Sequence, residues 1–337
     1  MNSETPWLNI PAAKIYSNYP VKNAYALSTL NYITAKLSSL QGTTQPYIDK
    51  TSIILFIADH GVVIDGKTSL AKPITYEKIK NIINKKSLHP IPKIELINLG
   101  TQSPLKQSKD LVNARLGLHS ENFCCRSAMS REQLAKAINL GRQTAQRIKI
   151  NENKIFIARE VNDANILSAT AIAVALLDIK LEELPFLDHS NKKLISQAIT
   201  THKTQLTSPI EITLHLGSFE MAALIGSYLC CAHMGLPVLV DDYTSTVAAY
   251  IVSKICPTST PWFLFSQPPS NIIHSMIHEQ LKVKPLLQNN QGFKGASGIT
   301  SALSLIHLAC KNHNDVMNLK KISLSEKKLN SPLLYQA

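Results

Sequence analysis

Two short stretches place acids where a buried strand would end. Ala58-Asp59-His60-Gly61 closes one apolar run, and Val240-Asp241-Asp242-Tyr243 closes a later one. A carboxylate there suits ribose hydroxyls or a cationic group, because parallel sheets bind ligands at the carboxyl ends of their strands. Asp and Gly are also ordinary turn formers, so position alone leaves turn chemistry equally open.

Other chemical signatures are absent or weak. With 12 glycines the chain has neither GxGxxG nor a Walker sequence, so any phosphate would rest on helix N-termini. His274 and His278 are four apart, as in a zinc pair, but read HSMIH without the Glu of HExxH. An amphipathic surface helix is expected there instead. His307, Cys310 and His313 are three apart and would spread around a helix. There is no GxSxG. The cysteines at 124, 125, 230, 231, 256 and 310 lack CxxC spacing and are expected to be small buried apolar residues in a reducing compartment. No metal and no cofactor are expected.

The elements that would carry these residues alternate. Runs at 53–58, 94–98, 155–158, 237–241 and 262–266 have the branched and aromatic content of strands buried on both faces. Helical periodicity covers about 26–40, 75–86, 131–149, 166–179, 191–202, 219–234, 244–255, 271–282 and 298–312. Such alternation predicts a mainly parallel, Rossmann-like sheet with helices on both faces.

Composition sets the outer bounds. The 337 residues are 45% apolar and 17% charged, as in a globular protein. No apolar run reaches the ~20 residues of a membrane span. The N-terminus shows no secretory pattern, so a cytoplasmic protein is expected. The formal charge of +12 is dispersed, without the aromatic-basic interleaving of a nucleic-acid site, and a solvated basic surface is the expectation.

Three blocks together carry a family resemblance. FIADHGVV (56–63) resembles F-A-G-D-H-G-V-V of the nicotinate-nucleotide:dimethylbenzimidazole phosphoribosyltransferases, and like it is followed by a Gly66 turn and a helix entered through Thr75. ENFCCRSAMSRE (121–132) is similar to their N-F-x-x-x-P-A-M-T-R-E. HLGSFEMAALIGSYLCCAHMGLPVLVDDYTSTVAA (215–249) is similar to their glycine-rich L-G-G-F-E and P-V-L-L-D-G block. The collinear match runs from about residue 22 to 312.

The resemblance implies a large α/β domain over 46–288 and a smaller helical domain from 1–45 and 289–337. It implies a homodimer whose subunits share active sites, or a heteromer with an active homologue. The substrates it implies are nicotinate mononucleotide and a benzimidazole-type or phenolic acceptor, joined as an α-riboside phosphate for cobalamin lower-ligand synthesis. Asp59, His60, Lys22, Asn165, Asp241, Ser297 and Gly298 match substrate-binding positions. The family's catalytic glutamate, which takes the acceptor's proton, falls on Gly295, beside Lys294. Glu160, in the segment matching G-E-[ML]-G, is the candidate base that remains. Several glycine-rich phosphate segments are also replaced, among them 184–188 and 266–270. A catalytically degenerate paralogue acting as a ligand-binding or partner subunit is therefore the competing expectation.

Overall fold

The computed structural model describes residues 29–65, 93–161, 165–288 and 297–329. The helix expected over 75–86, the Gly66 turn, Lys22, Lys294 and Gly295 lie outside these residues.

Six parallel strands form one sheet: β1 (Ser52–Ala58), β2 (Lys93–Gly100), β3 (Leu111–Asn113), β4 (Phe156–Val161), β5 (Val238–Val240) and β6 (Phe263–Phe265). Their order is β3-β2-β1-β4-β5-β6. Five coincide with the apolar runs. The sixth, β3, has no such run, because as an edge strand it exposes Val112 and Asn113. β4 continues past Ala158 to Val161, so Arg159 and Glu160 lie within the strand rather than after it.

Among the described residues the longer α-helices are α1 (Thr29–Gln41), α2 (Arg131–Ile150), α3 (Asn165–Leu177), α4 (His189–His202), α5 (Pro209–Leu216), α6 (Phe219–Met234), α7 (Tyr243–Ile255), α8 (Ile272–Leu281) and α9 (Ser297–Leu329). None among the described residues is long and apolar enough to cross a membrane.

Strand alternation divides the core into two layers. Ile54, Phe56 and Ala58 of β1 join a cluster with residues of α2 to α8. Ile53, Leu55 and Ile57 point the other way, into a cluster with α1 and α9. Every residue of β1 is buried, as a central parallel strand requires. The α9 helix is longer than its expected 298–312. Its extension is tied to the loop after α1: His313 contacts the Thr44 carbonyl at 3.0 Å, and the Asn314 amide donates to the Pro46 carbonyl at 3.0 Å.

The closest helix contact is α2 against α6. A Cβ on Gly141 would lie 1.9 Å from the Ala223 carbonyl oxygen, and one on Gly226 would lie 2.1 Å from that of Ile138. Ser227 reinforces the crossing by donating from Oγ to the Gly141 carbonyl at 3.1 Å.

Candidate functional site

The strand order runs outward from β1 to β2 and β3 in one direction and from β4 to β5 and β6 in the other. In parallel sheets a ligand crevice ordinarily lies at such a switch point, outside the carboxyl ends of the strands, here those of β1 and β4. The residues of that edge decide what the crevice can do.

Asp59 follows β1 and is tied into the sheet edge. Its N–H donates to the Gly100 carbonyl at 2.7 Å, and its Oδ2 accepts from the Gln102 N–H at 2.8 Å. His60 turns inward, its Nε2 lying 3.2 Å from Glu220 Oε1 near the start of α6, with both side chains essentially unexposed. Glu220 was not singled out in the sequence, since the pair spans 160 positions.

Glu160 pairs in register with Phe56, so its side chain enters the layer that holds Tyr228. It is buried, and its Oε2 has no hydrogen-bond partner among the described residues. Burial, then repulsion from Asp242, pushes its pKa well up, and neighbouring Arg159 only partly opposes them. Tyr228 donates weakly to the Ala158 carbonyl at 3.4 Å, and burial raises its phenol as well.

Arg159 pairs in register with Leu55 and projects to the opposite face. Its guanidinium lies 3.1 Å from Asp241 Oδ2 and 3.2 Å from Asp242 Oδ2. Asp241 Oδ1 also accepts from Gln267 Nε2 at 2.8 Å and from Ser266 Oγ at 3.3 Å. Burial raises the Asp241 carboxyl to about 6 against the pull of Arg159. Asp242 does turn work as well, accepting at Oδ1 from the Ser245 N–H and hydroxyl to cap α7. Both acids after β5 thus face Arg159, and Asp242 also serves as a cap. Neither Arg159 nor Gln267 stood out in the sequence as a site residue.

Gly298 joins this group from α9. A Cβ there would sit 2.2 Å from Gln267 Cδ, so the start of α9 rests on the side chain that holds Asp241. Asn165 and Ser297 open α3 and α9. Glu160 and Asp241 thus lie at the ends of β4 and β5, on opposite faces of the sheet, and Gly298 meets the Asp241 side through Gln267, with Asp59 and His60 ending the adjacent strand, whereas Lys22 lies outside the described residues.

An open cavity of about 760 Å³ lies elsewhere, between residues 121–133 and 204–215. Its polar groups answer one another: Arg131 forks onto Glu211 at 2.9 and 3.1 Å, and Ser127 Oγ lies 2.9 Å from His215 Nδ1. At the switch point Glu160 Oε2 and Asp241 Oδ2 remain buried without hydrogen-bond partners. Such groups call for an explanation, a catalytic role being one.

The histidines of α8 correct one expectation. His274 and His278 are buried rather than on a surface helix. His274 Nε2 is 3.0 Å from Thr246 Oγ1 and its Nδ1 accepts from the Ser270 N–H, while His278 packs against Phe265 and leaves both ring nitrogens without partners. No three His, Cys, Asp or Glu side chains among the described residues are grouped to hold a metal. None of the six cysteines is in a disulfide, and Cys125 is exposed, contrary to expectation.

Burial lowers His274 to about 3 and His278 to about 4. Both folded values lie below the unfolded value near 6.5, so their stabilising contribution holds above that pH and is lost as pH falls toward 4 and 3. For His278 alone the loss reaches roughly 2 kcal/mol by pH 5. His278→Leu is therefore expected to raise Tm more at pH 5 than at pH 8. Equal shifts at both values would show that the ring does not titrate with unfolding.

Comparison with known proteins follows the same lines. A phosphoribosyltransferase family model matches residues 11–322. The nicotinate-nucleotide–dimethylbenzimidazole phosphoribosyltransferase of Pseudomonas syringae pv. syringae B728a is 30% identical over 321 residues, covering 91% of each chain. Its counterpart in Pseudomonas fluorescens Pf-5 is 29% identical with the same coverage. Among solved structures, the nicotinate-nucleotide–dimethylbenzimidazole phosphoribosyltransferase of Thermus thermophilus superposes with a TM-score of 0.77 at 22% identity, covering 93% of this chain and 94% of that one. That likeness extends the shared fold.

Proposed function

We propose, since this chain belongs to the family of the nicotinate-nucleotide–dimethylbenzimidazole phosphoribosyltransferases, that it transfers the phosphoribosyl group of nicotinate mononucleotide to a benzimidazole-type acceptor. The product is an α-riboside phosphate for cobamide lower-ligand synthesis, and nicotinate leaves.

The carrying observation is the buried, unpartnered Glu160 Oε2 at the switch point. In the reaction the bond from C1′ to the nicotinate nitrogen breaks, its electron pair staying with nicotinate. An acceptor nitrogen bonds to C1′ from the other side, and its ring must then lose the remaining N–H proton. Positive charge thus passes from donor ring to anomeric carbon to acceptor ring, and carboxylates placed beforehand favour that passage.

Glu160 is the acid we assign to accept the proton. Its raised pKa makes it, once ionised, a stronger base than an ordinary carboxylate. The cationic ring of the incoming donor would favour its ionised form as the ternary complex assembles. A phenolic acceptor could arrive partly ionised and lean less on this group. Asp59 and His60 would bound the crevice from β1, and Asp241 and Gly298 from the β5–β6 side. Lys22, Asn165 and Ser297 remain proposed contacts on the strength of the resemblance.

The same reading assigns 46–288 to a large domain and both chain ends to a smaller helical one. The mutual packing of α1 and α9 favours joining the chain ends, although both also share a core with the sheet. It expects a cytoplasmic homodimer, and Val316 and Leu319, exposed on α9, offer apolar surface for one.

The test is release of nicotinate from nicotinate mononucleotide with and without 5,6-dimethylbenzimidazole. Acceptor-dependent release supports transfer. Binding of both compounds without release would favour a degenerate binding subunit instead.

A further inference from the structure

Among the described residues, Arg159 is a cation at this edge of the sheet that the fold leaves incompletely used. Only 17% of its side chain is exposed, yet its ion pairs are long. Charge-assisted N–H···O bonds typically span about 2.7–2.9 Å. Of the two contacts only that to Asp242 Oδ2 has hydrogen-bond geometry, and Asp241 Oδ2 is left without a hydrogen bond. A guanidinium carries five N–H donors in a rigid fork, so most have no acceptor among the described residues.

The two aspartates are themselves held from behind. Gln267 and Ser266 fix Asp241, and Ser245 fixes Asp242. They brace the guanidinium without saturating it. Burial alone would lower its pKa, but Asp241, Asp242 and Glu160 outweigh burial and keep it charged. One side chain further on, Gly298 brings the start of the 33-residue α9 against Gln267. The N-terminal end of a helix favours negative charge, so a second positive feature lies beside the first.

Charge across the crevice is therefore polar in one sense. The Glu160 carboxyl enters one layer from β4, and the Arg159 guanidinium enters the other from the preceding residue. A dipolar ligand, cationic at its reacting ring and anionic elsewhere, matches that arrangement. We infer that Arg159 anchors an oxyanion of the phosphoribosyl donor, either its 5′-phosphate or its ring carboxylate, through the N–H groups the aspartates leave unused. This assignment rests on the transferase reading above. A planar fork grips either oxyanion in two-point fashion, which the point charge of a lysine does not reproduce.

The experiment compares the full-length wild type with Arg159→Gln and Arg159→Lys. Donor affinity is read by calorimetry without acceptor, and KM and kcat are read with it. Arg159→Gln should weaken nicotinate mononucleotide about 10- to 100-fold in Kd and KM, as expected for lost hydrogen bonds to a charged group, while the KM for acceptor stays within about twofold. Arg159→Lys should recover only part of the loss.

Two donor analogues identify the oxyanion. Nicotinate riboside lacks the phosphate, and nicotinamide mononucleotide lacks the ring carboxylate. The analogue missing the anchored group should bind wild type and Arg159→Gln equally, whereas the other should keep the full penalty. Unchanged Kd for nicotinate mononucleotide in a folded Arg159→Gln would overturn the anchor and leave the transferase reading intact. So would an equal penalty on all three donors, or a fall in kcat with KM unmoved, either of which would make Arg159 a positioning residue for Asp241. Wild type that binds no nicotinate mononucleotide would overturn both readings. Should the variants fail to fold, phenylglyoxal modification of wild type followed by peptide mass spectrometry gives the answer. Nicotinate mononucleotide should protect Arg159, and equal labelling with and without saturating donor would overturn the anchor.

Discussion

Glu160→Gln is expected to lower turnover of nicotinate mononucleotide with 5,6-dimethylbenzimidazole by about 10²–10⁴-fold, the usual contribution of a positioned general base. The side chain keeps its shape and loses its charge and its capacity to take a proton, so kcat should fall far more than donor affinity. The pH profile separates this role from a structural one. In the wild type, kcat/KM should rise with pH as Glu160 ionises, and that limb should vanish in the variant. A phenolic acceptor, already partly ionised, should suffer a smaller loss than the azole.

Stability supplies the control. Burial raises the folded pKa of Glu160 above its unfolded value. Its stabilising contribution is therefore complete below the unfolded value and lost as pH rises through the folded one. A neutral glutamine removes that loss, so the variant should melt no lower than wild type at pH 8. An inactive variant with a depressed Tm would indicate damage to the core instead. A fully active variant would remove Glu160 from the proton-transfer step.

The largest stability effect is expected from the α2–α6 crossing. Gly141→Ala places a methyl group 1.9 Å from the Ala223 carbonyl oxygen, and backbone cannot yield as a flexible side chain does. The helices must separate, at a cost of about 3 kcal/mol, the upper end of common overpacking penalties. Alanine's better helix propensity returns only about 1 kcal/mol. Gly226→Ala should behave alike because it meets the Ile138 carbonyl across the same crossing. Gly117→Ala is the matched control, since its new Cβ finds nothing nearer than 3.4 Å. Thermal melts should rank Gly117→Ala near wild type and both crossing variants well below it. Crossing variants as stable as Gly117→Ala would mean that α2 and α6 stand further apart than described.

What the sequence disclosed followed from local rules. Asp59 and Asp241 were legible because each terminates an apolar run, and the alternation of strands with helices made the parallel sheet predictable. The short edge strand β3 had no such signal, since two of its three residues face solvent. The α5 helix did carry one, in Ser208 at the cap, Pro209 at the first position and Glu211 two residues on, but its shortness hid it. Pairings across long separations left no local trace. Arg159 meets Asp242 over 83 positions, and His60 meets Glu220 over 160. The α8 histidines show the converse limit: residue type suggested a wet face, whereas Phe265 and the facing α7 helix supply a dry one.

The same locality explains what the motif comparison could and could not reach. A glycine at 295 says that a carboxylate is missing from one place. Only the fold shows that Glu160 and Asp241 stand at the ends of adjacent strands with buried oxygens that lack a hydrogen bond, and that Arg159 is braced between two acids.

The most direct test of phosphoribosyl transfer at this crevice is product analysis by NMR. Purified full-length protein is incubated with nicotinate mononucleotide and 5,6-dimethylbenzimidazole, and the anomeric signals are followed. The account predicts nicotinate and α-ribazole phosphate appearing in equal amounts, with the α configuration that attack opposite the leaving group requires. Folded protein that binds both compounds and forms no α-ribazole phosphate, or that yields only ribose phosphate by reaction with water, would contradict it.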